Sequence, residues 1–164
     1  MKGQNVLFAG MGEIRTSRDH SAVLACLGLG SCVAVCAYDP TSRVGGIAHV
    51  VLPDSRGQGK NSPGKYADTA IPLLLNELAK LGGRRSRLVV KLAGGARLGL
   101  APALDSVFTT GSDNVAALKA ALTRERIPVS AMDVGGSIGR TVRIFLDTGS
   151  VTVKSIGHEA RELL

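Results

Sequence analysis

The stretch Ser31–Pro53, "SCVAVCAYDPTSRVGGIAHVVLP", places two apolar runs on either side of "YDPTSR". Runs of this length, rich in Val, Ile and Ala and bounded by turn residues, read as strands. Between them, Asp39 and Pro40 suit the first two positions of a type I turn. The aspartate accepts backbone hydrogen bonds there, and the proline supplies the φ the turn needs. The stretch is therefore predicted to be an antiparallel hairpin. Centring the turn on Asp39–Ser42 makes Tyr38 and Arg43 a cross-strand pair, and counting outward sets Cys32 opposite His49. Directly opposed residues have Cβ atoms ~4.5–5.5 Å apart. A loop differing by an odd number of residues would put the two side chains on opposite faces.

A thiol facing an imidazole is a nucleophile–base pair. A neighbouring imidazolium lowers a thiol pKa from about 8.5 and generates the attacking thiolate. Upstream, "LGLGSC" puts Gly28 and Gly30 beside Cys32. Glycines let the chain turn sharply and let a substrate approach the backbone. The N–H groups around Gly30, Ser31 and Cys32 are then candidates for an oxyanion hole. A dinucleotide loop does not fit, since that fingerprint needs a third glycine and a following helix. Spacing alone leaves two readings of Cys32, this nucleophile or a small buried hydrophobe, because free cysteines are commonly buried. Cys36 reads as core, and His20 and His158 read as surface residues without a partner at a telling spacing.

Composition narrows the rest. The chain has 164 residues, 45% of them hydrophobic, which predicts one domain over 1–164 with one good core. No apolar run approaches the ~20 residues that span a bilayer. The start, "MKGQNVLFAGMGEI", is too short and polar for a secretory signal, so a cytoplasmic protein is expected. Three cysteines, spaced C-x5-C-x3-C, form neither a disulfide framework nor a zinc pattern. On one strand Cys32 and Cys36 would sit about 13 Å apart, too far for a bridge. The net charge of +7 invites a nucleic-acid reading, but aromatics are only 3%, so stacking platforms are scarce. An acidic protein partner explains the charge equally well.

Strands are predicted at Val6–Ala9, Val23–Leu27, Cys32–Tyr38, Val44–Leu52, Leu88–Ala93, Val129–Asp133, Thr141–Leu146 and Val151–Ile156. "DTGS" at Asp147–Ser150 reads as a hairpin connection. Ala67, Ala70, Ile71, Leu74, Leu75, Leu78 and Leu81 recur at helical spacing, and Gly82-Gly83 ends that helix. Pro72 is tolerated only in a first turn, so the regular helix is expected to begin near Thr69 or Ala70. A second helix is expected from Ser112 or Asp113 to about Arg124. The polar segment Asp54–Tyr66 follows the strand carrying His49 and is expected to form a rim or lid. Hairpin-like connections and two helices predict an α+β fold, mostly antiparallel.

Taken in order, "LGLGSCVAVCAYDP", "GGIAHVVLPDS", "PGKYADTAI", "KLAGGA", "GSDN" and "DVGGSIGRTVRIFLDTG" resemble the CheD family of chemotaxis deamidases. The resemblance runs from about Leu24 to Lys154. It implies a compact layered α/β/β sandwich, with two main helices on one side. It implies hydrolysis of selected glutamine amides on the cytoplasmic helices of chemoreceptors, and receptor methyl-ester hydrolysis in some members. It also implies a CheC-type phosphatase as partner. A binding regulator of that phosphatase, with weak or no catalysis, is the alternative. The family's nucleophile falls on Cys32 and its histidine on His49. The family's threonine, six positions before the nucleophile, is replaced here by Cys26, a poorer hydrogen-bonding group. Ser31 or a backbone carbonyl is then left to orient the imidazole. The implied chemistry is acyl transfer through a thioester and needs no cofactor or metal.

Overall fold

A computed structural model describes residues 3–97 and 110–164. At its centre are β4 (Val33–Asp39) and β5 (Val44–Val50), in which every residue is buried. Strands with one wet face alternate, whereas strands covered on both faces read as continuous apolar runs. Val33, Val35, Ala37, Val44, Ala48 and Val50 face one core, which they share with the helices. Cys32, Ala34, Cys36, Tyr38 and Ile47 face another, shared with a second sheet.

The helices are α1 (Ala67–Lys80) and α2 (Thr110–Arg124). Both press on the same face of the first sheet. That sheet runs β2 (Ile14–Ser17), β5, β4, β6 (Val89–Gly94) and β7 (Val129–Val134). The second runs β1 (Asn5–Phe8), β3 (Ala22–Leu29), β8 (Arg140–Phe145), β9 (Val151–Ser155) and β10 (Arg161–Glu162). Only β1 with β3 and β6 with β7 pair in parallel among these elements. The layers are helices, sheet, sheet, and the strands are mostly antiparallel, as expected. The short β2 and β10 were not expected. Each lies at a sheet edge, and β10 is only two exposed residues, so neither has an apolar pattern to read.

Two local expectations need correction. The helix α1 begins at Ala67, so Pro72 lies inside it. The turn before the proline is held from outside. Ala67 N donates to Leu52 O, Ser55 N and Oγ donate to the Asp68 carboxylate, and Thr69 Oγ1 donates to Pro63 O. These bonds compensate for the N–H that the proline lacks. The β4–β5 hairpin closes at Asp39 and Val44, not at Tyr38 and Arg43. The loop is four residues long, with Arg43 N donating to Asp39 O at 2.7 Å and Arg43 at φ 57°. His49 therefore stands opposite Ala34, and Cys32 lies two positions further along. A shift of two keeps every side chain on its face.

Asp39 holds this corner. Its carboxylate, fully buried, accepts from Thr41 N, Ser42 N, Arg84 N and the Arg87 guanidinium. Burial pushes its carboxyl up, but the bonds from Arg87 and the three amides outweigh this and hold it well below the usual carboxylate range. A depressed folded pKa contributes stability above the unfolded value of about 4 that is lost as pH falls below it. Asp39→Ala is expected to cost about 3 kcal/mol at pH 7 in urea unfolding. The variant should also lose less stability than the parent on acidification from pH 5 to pH 3. An unchanged midpoint would show that the corner does not depend on this carboxylate.

Candidate active site

Cys32 ends the turn that follows β3 and immediately precedes β4. The turn starts with a bulge in the pairing of β3 with β8, between Cys26 and Leu29, where Gly28 takes φ +59°. Its carbonyls are tied down on one side. Ala96 N donates to Gly30 O at 2.8 Å and Gly95 N to Cys32 O at 2.9 Å. Among the described residues the Ser31 and Cys32 N–H groups donate to no backbone carbonyl.

His49 and Cys32 share the face of the sheet that looks toward the second sheet, given the β4–β5 register and the packing of Ala34 and Ile47. Their offset is diagonal, with Cβ atoms roughly 7–8 Å apart on regular geometry. Both are mostly buried, with 5% of His49 and 9% of Cys32 exposed. The imidazole is fixed by a backbone carbonyl, one of the two expected orienting groups, and not by Ser31. Nδ1 lies 2.9 Å from Ala9 O. A carbonyl only accepts, so Nδ1 bears the proton and the neutral ring keeps its lone pair on Nε2. The segment around Ala9 is itself pinned to β5. Gly12 N donates to His49 O, and His49 N donates to Glu13 O.

The segment Asp54–Tyr66, expected as rim or lid, is a built part of this wall. It carries two short 3-10 turns, Gly59–Asn61 and Pro63–Lys65. Lys65 O accepts from Val51 N and Leu52 N, and Lys65 lies against Gly12. It thus buttresses the turn that holds His49.

The thiols differ from expectation in one respect. Burial pushes the Cys32 thiol up, and the bond from its own N–H opposes this without reversing it. A thiol raised in this way depends on a base to give up its proton. Burial also raises Cys36, to about 12, and raises Cys26 further. Among the described residues, no three His, Cys, Asp or Glu side chains converge as metal ligands would.

Comparison with known proteins adds the family. A model described as "CheD chemotactic sensory transduction" matches residues 51–155. Three similar proteins are named "Probable chemoreceptor glutamine deamidase CheD". The one from Symbiobacterium thermophilum is 43% identical over 99% of this chain and 100% of its own length. The one from Desulfitobacterium hafniense is 40% identical over 94% and 96%. The one from Methanococcus vannielii is 42% identical over 96% and 99%. The chain belongs to the CheD family.

The matched segment 51–155 begins after His49, whereas the CheD relatives align over nearly the whole chain. Cys26, where the resemblance implies a threonine, is fully buried in β3. It lies near enough to Cys32 and Cys36 for each to raise its pKa. Since Ala9 O already orients the imidazole, no hydroxyl at position 26 is needed for that task. Cys26→Thr is expected to keep or raise deamidation. The buried hydroxyl should cost about 1–2 kcal/mol in thermal unfolding unless it finds a partner. Loss of activity in a folded Cys26→Thr chain would assign Cys26 a specific role.

Proposed function

We propose that this CheD-family protein is a chemoreceptor glutamine deamidase, with Cys32 as nucleophile and His49 as base and acid. The observation that carries the assignment of residues is the His49 ring. Its Nδ1 proton is committed to Ala9 O, which leaves Nε2 free on the face that Cys32 shares. His49 Nε2 takes the Cys32 proton as Sγ attacks the glutamine carboxamide carbon. The oxyanion is received by the Ser31 and Cys32 N–H groups. The carbon–nitrogen bond then breaks, and the imidazolium returns the proton to the departing ammonia. Water, deprotonated by His49, hydrolyses the thioester and releases glutamate and the thiol. A receptor methyl ester would follow the same path with methanol as leaving group. No cofactor or metal enters this scheme.

Beside the turn, Gly28, Arg140, Thr141, Lys154 and Ile156 line a shallow depression. Leu27, Ile138 and Ile156 are exposed at its margin. Apolar side chains beside the exposed Lys154 suit an amphipathic, acidic receptor helix, whereas the buried Arg140 is paired with Asp133. Among the described residues no helix is long and apolar enough to cross a membrane. The proposed setting is the cytoplasm, as a single domain, with a CheC-type phosphatase as second partner. Incubation with receptor cytoplasmic fragments should add about 1 Da at selected glutamines by mass spectrometry, with ammonia released in equal amount. Fragments left unchanged would overturn the reading.

A further inference from the structure

Asn114 lies early in α2 and is fully buried. Its Nδ2 donates to Ser31 O at 3.0 Å and to Val51 O at 2.9 Å. Both acceptors are carbonyls, so only the NH2 end of the amide can serve them. Its Oδ1 is buried and accepts no hydrogen bond among the described residues. Leaving one end of a buried amide unsatisfied is unfavourable, so the two bonds made by the other end are what keep it there. Ser31 precedes Cys32, and Val51 follows His49 by two residues. One carboxamide thus bridges the two chain segments that carry the reacting pair.

The peptide group is planar and trans, so the Ser31 carbonyl and the Cys32 N–H point in opposite directions. By holding the carbonyl, Asn114 aims the Cys32 N–H away from α2. Ala96 N holds Gly30 O in the same way and aims the Ser31 N–H. The helix is seated to allow this. A Cβ on Gly111 would lie 2.6 Å from Gly95 O and 2.7 Å from Ala96 O, so the start of α2 rests directly on that backbone. The "AGGA" and "GSDN" stretches, which the thiol and imidazole leave unexplained, meet here.

We propose that Asn114 is a positioning residue for deamidation, which sets the oxyanion donors by clamping the Ser31 carbonyl to the end of the strand that carries His49. The proposal rests on Cys32 being the nucleophile. Donors that act on the transition state alone change kcat and not KM. Asn114→Leu is expected to lower kcat about 100-fold, in line with loss of an oxyanion donor. KM and the rate at which iodoacetamide alkylates Cys32 should stay within about threefold, because alkylation needs the thiolate but forms no oxyanion. Asn114→Ser, whose hydroxyl can hold one carbonyl, should lose about 10-fold in kcat and keep the alkylation rate. If the leucine variant does not fold, the serine variant decides by the same comparison. Wild-type kcat in a folded variant, or parallel loss of deamidation and alkylation, would reduce Asn114 to a packing residue. Ammonia release by Cys32→Ala would instead overturn the parent reading, and since the Asn114 variants keep Cys32, the two failures are distinct.

Discussion

Cys32→Ala is expected to lower receptor deamidation by about 10⁴-fold or more, the scale on which removal of a covalent nucleophile acts. The fold should survive, because Cys32 sits in a turn before β4 and alanine fits wherever its smaller volume leaves the backbone bonds intact. Those bonds, from Gly95 N and Ala96 N, involve no side chain. Neither neighbouring thiol can substitute. Cys26 is fully buried and Cys36 is 2% exposed, and burial raises both thiols well above neutral pH. For the same reason iodoacetamide should label the folded wild type once, at Cys32. Ammonia release by a folded Cys32→Ala chain at more than a tenth of the wild-type rate would end the enzyme reading.

The hairpin that carries this pair is legible because Asp39-Pro40 marks its turn and two apolar runs flank it. Its register is not legible, because the Asp39 side chain and the left-handed Arg43 move the four-residue loop one position along, to Pro40–Arg43. Neither effect belongs to a pattern of apolar residues. Expecting His49 opposite Cys32 was off by two positions, and the face survived because side chains alternate with period two. The first turn of α1 was hidden for a related reason. Pro72 argues locally against a helix there, and the bonds that overrule it come from Leu52, Ser55 and Pro63, far from any helical motif. The groups that position the site left the faintest trace. Ala9 acts through its carbonyl, which any residue has, and Asn114 is a polar side chain on a helix face that otherwise goes into the core. Only "KLAGGA" and "GSDN", whose Gly95 and Gly111 let α2 rest on the backbone beside the turn, are visible in the sequence.

His49→Ala is expected to match the loss expected of Cys32→Ala, again about 10⁴-fold or more, and the double variant should be no worse than either. The two residues act as one unit. Burial pushes the Cys32 thiol up, so without Nε2 nothing assists removal of its proton and nothing protonates ammonia. Removing the second member of a unit that no longer works costs nothing more. His49→Ala also leaves Ala9 O without its partner, so its loss of activity has two causes to separate, the missing base and disorder of the segment that holds the ring. His49→Asn separates the causes. Its Nδ2 can take the place of Nδ1 as donor to Ala9 O, while offering no base on the other side. This variant should unfold at nearly the wild-type temperature and still lose deamidation. It should also show a sign in pH: with no base present, alkylation of Cys32 by iodoacetamide depends on the thiol ionising unaided, and so climbs about tenfold per pH unit below the raised thiol pKa. Additive losses in the double variant, or wild-type turnover by His49→Asn, would show that Cys32 and His49 do not work as a pair.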